Sequence, residues 1–178
     1  SSVSSSTTNL QNTPHEETKS NMSVPSTPNY SQNASPSHPN HCRMIKKEAE
    51  NLHSQGYAAR KKGDYKSAIM YYSKALEVLP THFKALFNRG FAYDKVGEFD
   101  KAIQDYTKAI EIDPQNAFTY YNKGISLDRK GEYDEAIWFF TKAIELEPKK
   151  ADFFHNRGFA YRKKKDYENA IQDYTNAI

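Results

Sequence analysis

The chain has 178 residues, 25 basic and 22 acidic, for a formal net charge of +3. A surface so balanced excludes a strongly basic nucleic-acid footprint, and no apolar run approaches the ~18 residues that a membrane span needs. The single cysteine, Cys42, excludes an internal disulfide; with only His38 and His41 beside it, the full tetrahedral ligand set of zinc is missing and no metal is expected.

The first segment, residues 1–42, is mostly Ser, Thr, Asn, Pro and His. Five of the eight prolines precede residue 40, while all seven glycines lie between Gly56 and Gly158. With few large apolar groups and no helical or strand period, this segment cannot bury enough surface to offset its lost chain entropy, so it reads as a disordered tail. Thr13-Pro14, Thr27-Pro28 and Ser35-Pro36 are minimal sites for proline-directed kinases. Asn21, Asn29 and Asn33 sit in N-x-[ST] triplets, which carry little weight where no secretory signal is visible. The chain starts at Ser1 rather than Met, which leaves a targeting segment upstream an open question.

From Arg43 to Ile178 the chain is helix-forming and repeats itself every 34 residues, in units 49–82, 83–116, 117–150 and a truncated 151–178. The spacing predicts first helices near 45–62, 83–96, 117–130 and 151–164, and second helices near 65–78, 99–112, 133–146 and 167–178. Position eight of the unit reads Gly56, Gly90, Gly124, Gly158, and position twenty reads Ala68, Ala102, Ala136, Ala170. These small residues are expected to face one another and let two helices approach. Position twenty-four is Tyr72, Tyr106, Phe140, Tyr174, large rings that fill the space between repeats. Position twenty-seven is Ala75, Ala109, Ala143, Ala177, small enough to keep the next helix close. Pro80, Pro114 and Pro148 stop the second helices, because proline lacks an amide donor and clashes with the preceding turn. Gly63, Gly97 and Gly131 open the turn inside each pair; the fourth unit has Lys165 there, a departure that puts strain on a left-handed turn.

These spaced residues resemble the tetratricopeptide repeat, a helix–turn–helix unit, over residues 49–178. Two departures stand out: position seven, often Leu in that family, is Gln55, Arg89, Lys123 and Arg157, and Ala59 and Leu127 stand where an aromatic is common. The resemblance implies an all-α, right-handed superhelical solenoid of antiparallel helix pairs, in which each repeat contacts mainly its neighbours. It also implies a concave groove lined by the first helices at positions two, five, six, nine, twelve and thirteen. Ile178 falls inside the last helix without a polar cap over Ile171 and Tyr174, so more repeats or a capping helix are expected beyond it.

At those groove positions, Asn88, Asn122 and Asn156 recur at position six, similar to the asparagine ladder of the repeat domain in O-linked N-acetylglucosamine transferases. Each offers donors and an acceptor to a peptide backbone. His53, Phe87, Tyr121 and His155 at position five, Phe91 and Phe159 at position nine, and Phe118 at position two supply contact area beside them. The carboxylate clamp of chaperone-binding relatives needs Lys, Asn, Lys and Arg where this chain has His53, Tyr57, Phe118 and Asn122, or Phe87, Phe91, Asp152 and Asn156; only its middle asparagine, Asn88 or Asn122, is matched. Binding of a chaperone's carboxylate tail is therefore not expected. The paired charges at positions twelve and thirteen, Arg60-Lys61, Asp94-Lys95, Asp128-Arg129 and Arg162-Lys163, read first as solvated helix ends.

No phosphate loop, metal constellation or nucleophile–base pair is present, so no enzyme activity and no cofactor are expected. The function expected is a protein–protein interaction scaffold that holds an extended or helical peptide segment at micromolar affinity, about −8 kcal/mol. The alternatives are the substrate-recruiting region of a larger enzyme or, third, an RNA-binding helical solenoid. No membrane partner is expected, and the expected compartment is the cytoplasm, with the nucleus as the alternative.

Overall fold

The structure is a computed structural model that describes residues 39–178. Most of the predicted tail, residues 1–38, lies outside the described residues, together with its kinase and N-x-[ST] motifs. Residues 39–178 form α1 (Pro39–Lys61), α2 (Tyr65–Val78), α3 (Phe83–Lys95), α4 (Phe99–Ile112), α5 (Ala117–Lys130), α6 (Tyr133–Leu146), α7 (Ala151–Lys163) and α8 (Tyr167–Asn176). Every helix after α1 starts at the residue that the repeat spacing names. The first helix differs, starting at Pro39 rather than near residue 45, so Pro39–Cys42 belong to it and not to the tail. Proline fits there because its fixed φ suits a first turn, whose amide needs no helical partner.

Each helix packs on the next in sequence. Beyond that, α1 meets α3, α3 meets α5 and α5 meets α7, whereas no two even-numbered helices touch among the described residues. A stack in which only one set of helices converges must curve with that set inside. The result is a right-handed solenoid with the odd helices on its concave face. Among the described residues, no helix is long and apolar enough to cross a membrane.

The core follows the repeat positions. Ala68, Ala102, Ala136, Ala75, Ala109 and Ala143 are wholly buried, as are Tyr72 and Phe140. Gly56, Gly90 and Gly124 answer to the rings rather than to the alanines opposite, which corrects the sequence expectation, while Gly158 meets Asp173, Tyr174 and the Ala170 carbonyl alike. A Cβ on Gly56 would lie 2.6 Å from Tyr72 Cε1, and one on Gly124 would lie 2.7 Å from Phe140 Cε1. In the first three pairs the position-twenty-four ring lies against bare backbone, which lets the two helices of a pair approach closely.

The turns keep the left-handed residue in all four pairs. Gly63, Gly97 and Gly131 have φ between 77° and 90°, and Lys165 takes φ 64° in the fourth. A side chain there is strained by ~1 kcal/mol relative to glycine. Lys165→Gly is therefore expected to raise the melting temperature of the full chain; an unchanged or lower midpoint would show that the lysine turn is relaxed. The residue after the turn matters too. Asp64 and Asp166 accept from the backbone N–H of Ser67 and Asn169, while the longer Glu98 and Glu132 make no cap bond.

The polar residues at position seven have a structural reason. Arg89 donates to both carboxylate oxygens of Asp105 at 2.7 and 2.8 Å, and to Ser73 Oγ of the preceding repeat at 3.0 Å. Arg157 repeats this with Asp173 at 2.8 and 2.7 Å and with Thr141 Oγ1 at 3.0 Å. In the third repeat the aspartate's place is taken by Phe139; Lys123 Nζ lies 4.2 Å from that ring's centre and donates to Thr107 Oγ1 at 2.8 Å. From α3 onward, then, position seven of each repeat reaches back to a hydroxyl of the repeat before it.

Candidate functional site

The inner face carries Asn88 on α3, Asn122 on α5 and Asn156 on α7, one helix pair apart. In each, one side-chain N–H donates to the carbonyl four residues back: Lys84 at 2.9 Å, Phe118 at 2.8 Å and Asp152 at 2.9 Å. These bonds fix the amides along the helix axis. The second N–H depends on position five of the repeat before. Asn88 donates to His53 Nε2 at 3.0 Å, and Asn156 to the Tyr121 hydroxyl at 2.8 Å. Phe87 precedes Asn122 and can accept nothing. Bidentate contact from every asparagine, as expected from the sequence, is therefore not what the geometry offers. Asn88 and Asn156 have spent both donors and retain an acceptor oxygen; Asn122 alone keeps a donor as well.

His53, expected on the contact surface, is 8% exposed. Its ring stacks on His82 at 5.4 Å and tilts against Tyr72 at 5.6 Å, and burial lowers its pKa. His82 is fixed in turn: its Nδ1 accepts from the Ala85 N–H, leaving Nε2 to donate to Glu50 at 3.0 Å. His53 thus positions Asn88 and offers little surface of its own, because Tyr72 of α2 and His82 at the start of α3 lie against its ring. His155, its equivalent on α7, is exposed beside Tyr174 at 5.5 Å.

The other rings lie where the spacing puts them, half-buried or exposed. Phe87 packs edge-on against Tyr106 at 5.9 Å. Tyr121 lies 4.6 Å from Phe153, with burial raising the pKa of its hydroxyl. Phe118 is 42% exposed and leans on Phe153 at 5.5 Å. The position-nine rings are not bare. Arg60 lies 4.9 Å from the centre of Tyr57 and 5.0 Å from that of Phe91, and Lys95 lies 5.1 Å from Phe91. Arg162 and Lys163 lie 4.8 and 5.1 Å from Phe159. These cations, on or beside the rings, give the groove wall a positive character.

Position twelve is where the sequence reading fell short. Asp94 is buried, accepts from Ser126 Oγ at 3.0 Å and is paired with Arg129 of the next repeat. Asp128 is its equivalent one repeat on, but its Oδ1 is buried without a partner. Burial raises its pKa, against the opposing pull of Lys163 and Arg129. Asp128 lines a cavity of about 290 Å³ with Ile125, Arg129, Phe140, His155, Asn156 and Phe159. The signal was present in the sequence: Ala160 and Lys163 stand where the preceding repeat has Ser126 and Arg129.

Comparison with known families accounts for the periodicity. Models described as the tetratricopeptide repeat match residues 49–82, 83–116 and 105–137, and one described as the TPR repeat matches 127–165, so that matches run unbroken from 49 to 165. The chain belongs to the tetratricopeptide repeat family. Among solved structures, this tetratricopeptide array resembles MamA 41-end from Desulfovibrio magneticus RS-1, with 26% identity and a TM-score of 0.71 over 77% of each chain. It also resembles the Arabidopsis OM64 TPR domain, with 26% identity and a TM-score of 0.64 over 66% of this chain and 98% of that one. The first TPR domain of human RPAP3, at 24% identity and a TM-score of 0.64 over 68% of this chain and 96% of that one, shares the fold. No curated protein matches the chain significantly. Tetratricopeptide repeats are scaffolds for protein–protein interaction, and this array is built as one.

Proposed function

We propose that this chain is a non-enzymatic scaffold that captures an extended segment of a partner protein along the inner face of α3, α5 and α7. The observation that carries the reading is the asparagine ladder: three amides at equivalent sites, each tied by one N–H to its own helix, with side-chain oxygens unclaimed. An extended peptide presents backbone N–H groups at intervals, which those oxygens can accept without reading side chains. Asn122, with a donor left over, can also hold a backbone carbonyl. Phe87, Phe91, Phe118, Tyr121, Phe159 and His155 would contact the side chains; His53 would act through Asn88. A partner's terminal carboxylate is disfavoured, since His53, Phe118 and Asn122 occupy clamp positions that call for Lys or Arg.

The test is a crosslinking pull-down with the full chain from extract of its source cells. The wild type would be compared with a variant carrying Asn88→Ala, Asn122→Ala and Asn156→Ala, matched for helicity and melting. Each lost hydrogen bond contributes about 1 kcal/mol. Partners of the groove should therefore bind the variant at least about tenfold more weakly. Partners retained at full strength would exclude the ladder and move recognition to the outer helices or the tail.

A further inference from the structure

Asp94 and Asp128 occupy the same position in successive repeats, and the chain itself shows what completes a carboxylate there. Around Asp94, α5 supplies a hydroxyl from Ser126 and a guanidinium from Arg129. Around Asp128, α7 supplies neither. Ala160 is wholly buried and carries no donor, and Lys163 lies against the Phe159 ring, its Nζ 5.1 Å from the centre. Oδ1 of Asp128 is left buried and unpaired. A buried carboxylate without a donor is costly, and a charged donor compensates it best. Asp128 borders a cavity of about 290 Å³ lined also by Ile125, Arg129, Phe140, His155, Asn156 and Phe159. Arg129 is already paired with Asp94. Oδ1 itself is closed off and corresponds to the oxygen that takes the Ser126 hydroxyl in Asp94; a donor brought by the ligand would meet the other oxygen of Asp128, the one that takes Arg129 in Asp94.

We propose that this cavity between α5 and α7 is a pocket for an arginine side chain of the bound partner, whose guanidinium pairs with Asp128 as Arg129 pairs with Asp94. This rests on the groove reading above, because Asn156 belongs both to the ladder and to the pocket wall. The pocket gives that groove a selectivity that backbone contacts alone cannot supply. A basic residue seated between the central and the last asparagine would be preferred over a neutral or acidic one.

Ethylguanidinium is the probe, followed by amide NMR shifts of the full chain, with N-ethylurea as a neutral probe of similar shape. The expected result is saturable shifts around Ile125, Asp128, His155 and Phe159 with the cation, and a response about tenfold weaker or less with the urea. Asp128→Asn should abolish the preference for the cation. The double variant Ala160→Ser, Lys163→Arg copies the preceding repeat's own solution and should close the pocket while preserving the fold. Equal responses to the two probes, no localised response, or shifts that persist unchanged in both variants would overturn the proposal. The pull-down with the asparagine variant reads the ladder separately. If it succeeds while the probe ignores Asp128, the groove stands and the arginine pocket falls.

Discussion

Phe140→Ala is expected to lower the unfolding free energy by about 3–5 kcal/mol, the range for removing a large ring from a packed interior. The ring is wholly buried and lies against the bare backbone of Gly124, where even a Cβ would come within 2.7 Å. Tyr121 is 5.9 Å away on its other contact, so the ring also supports a groove residue. The facing glycine has no side chain with which to refill the gap. Urea unfolding of the full chain, read by helical circular dichroism, measures the effect. A loss under about 1 kcal/mol would mean the helices close over the gap.

Arg89→Ala should cost a similar amount, about 3–5 kcal/mol, for a different reason. Asp105 has a side chain only 3% exposed and receives both of its bonds from Arg89, whose own side chain is 18% exposed. Removing the arginine leaves an uncompensated charge inside α3 and α4. The double variant Arg89→Met, Asp105→Leu removes both charges at similar volume and should recover most of the loss, since a buried pair contributes little net stability over a packed apolar one. Both are measured by the same unfolding experiment. A double variant as unstable as the single one would show that the hydrogen bond to Ser73, and not the charge pair, is what the repeat depends on.

The helices were legible because period, glycine, alanine and proline all point to the same boundaries. Position seven was legible as a departure but not as a solution, since its partners lie sixteen residues away in either direction and only packing brings them together. The ladder could be read as a row of asparagines. Its hydrogen-bond state could not, because that depends on whether position five of the preceding repeat can accept, as His53 and Tyr121 do and Phe87 does not. His53 was misplaced because its equivalence to His155 says nothing of the His82 ring that covers it. Asp128 was missed because its importance lies in two groups that the next repeat lacks.

The backward reach of position seven gives the array a direction of assembly. Ser73, Thr107 and Thr141 sit on α2, α4 and α6, and the cations that bond them arrive later in the chain on α3, α5 and α7. During synthesis each hydroxyl emerges from the ribosome before the residue that seeks it. Every new helix pair therefore finds its position-seven hydroxyl already in place, and no earlier pair needs a later one to complete its own arginine–aspartate clasp, although Asp94 waits for Ser126 and Arg129 of the next repeat. A chain growing from its N-terminus can settle one pair at a time, with the exposed apolar edge never wider than a single repeat.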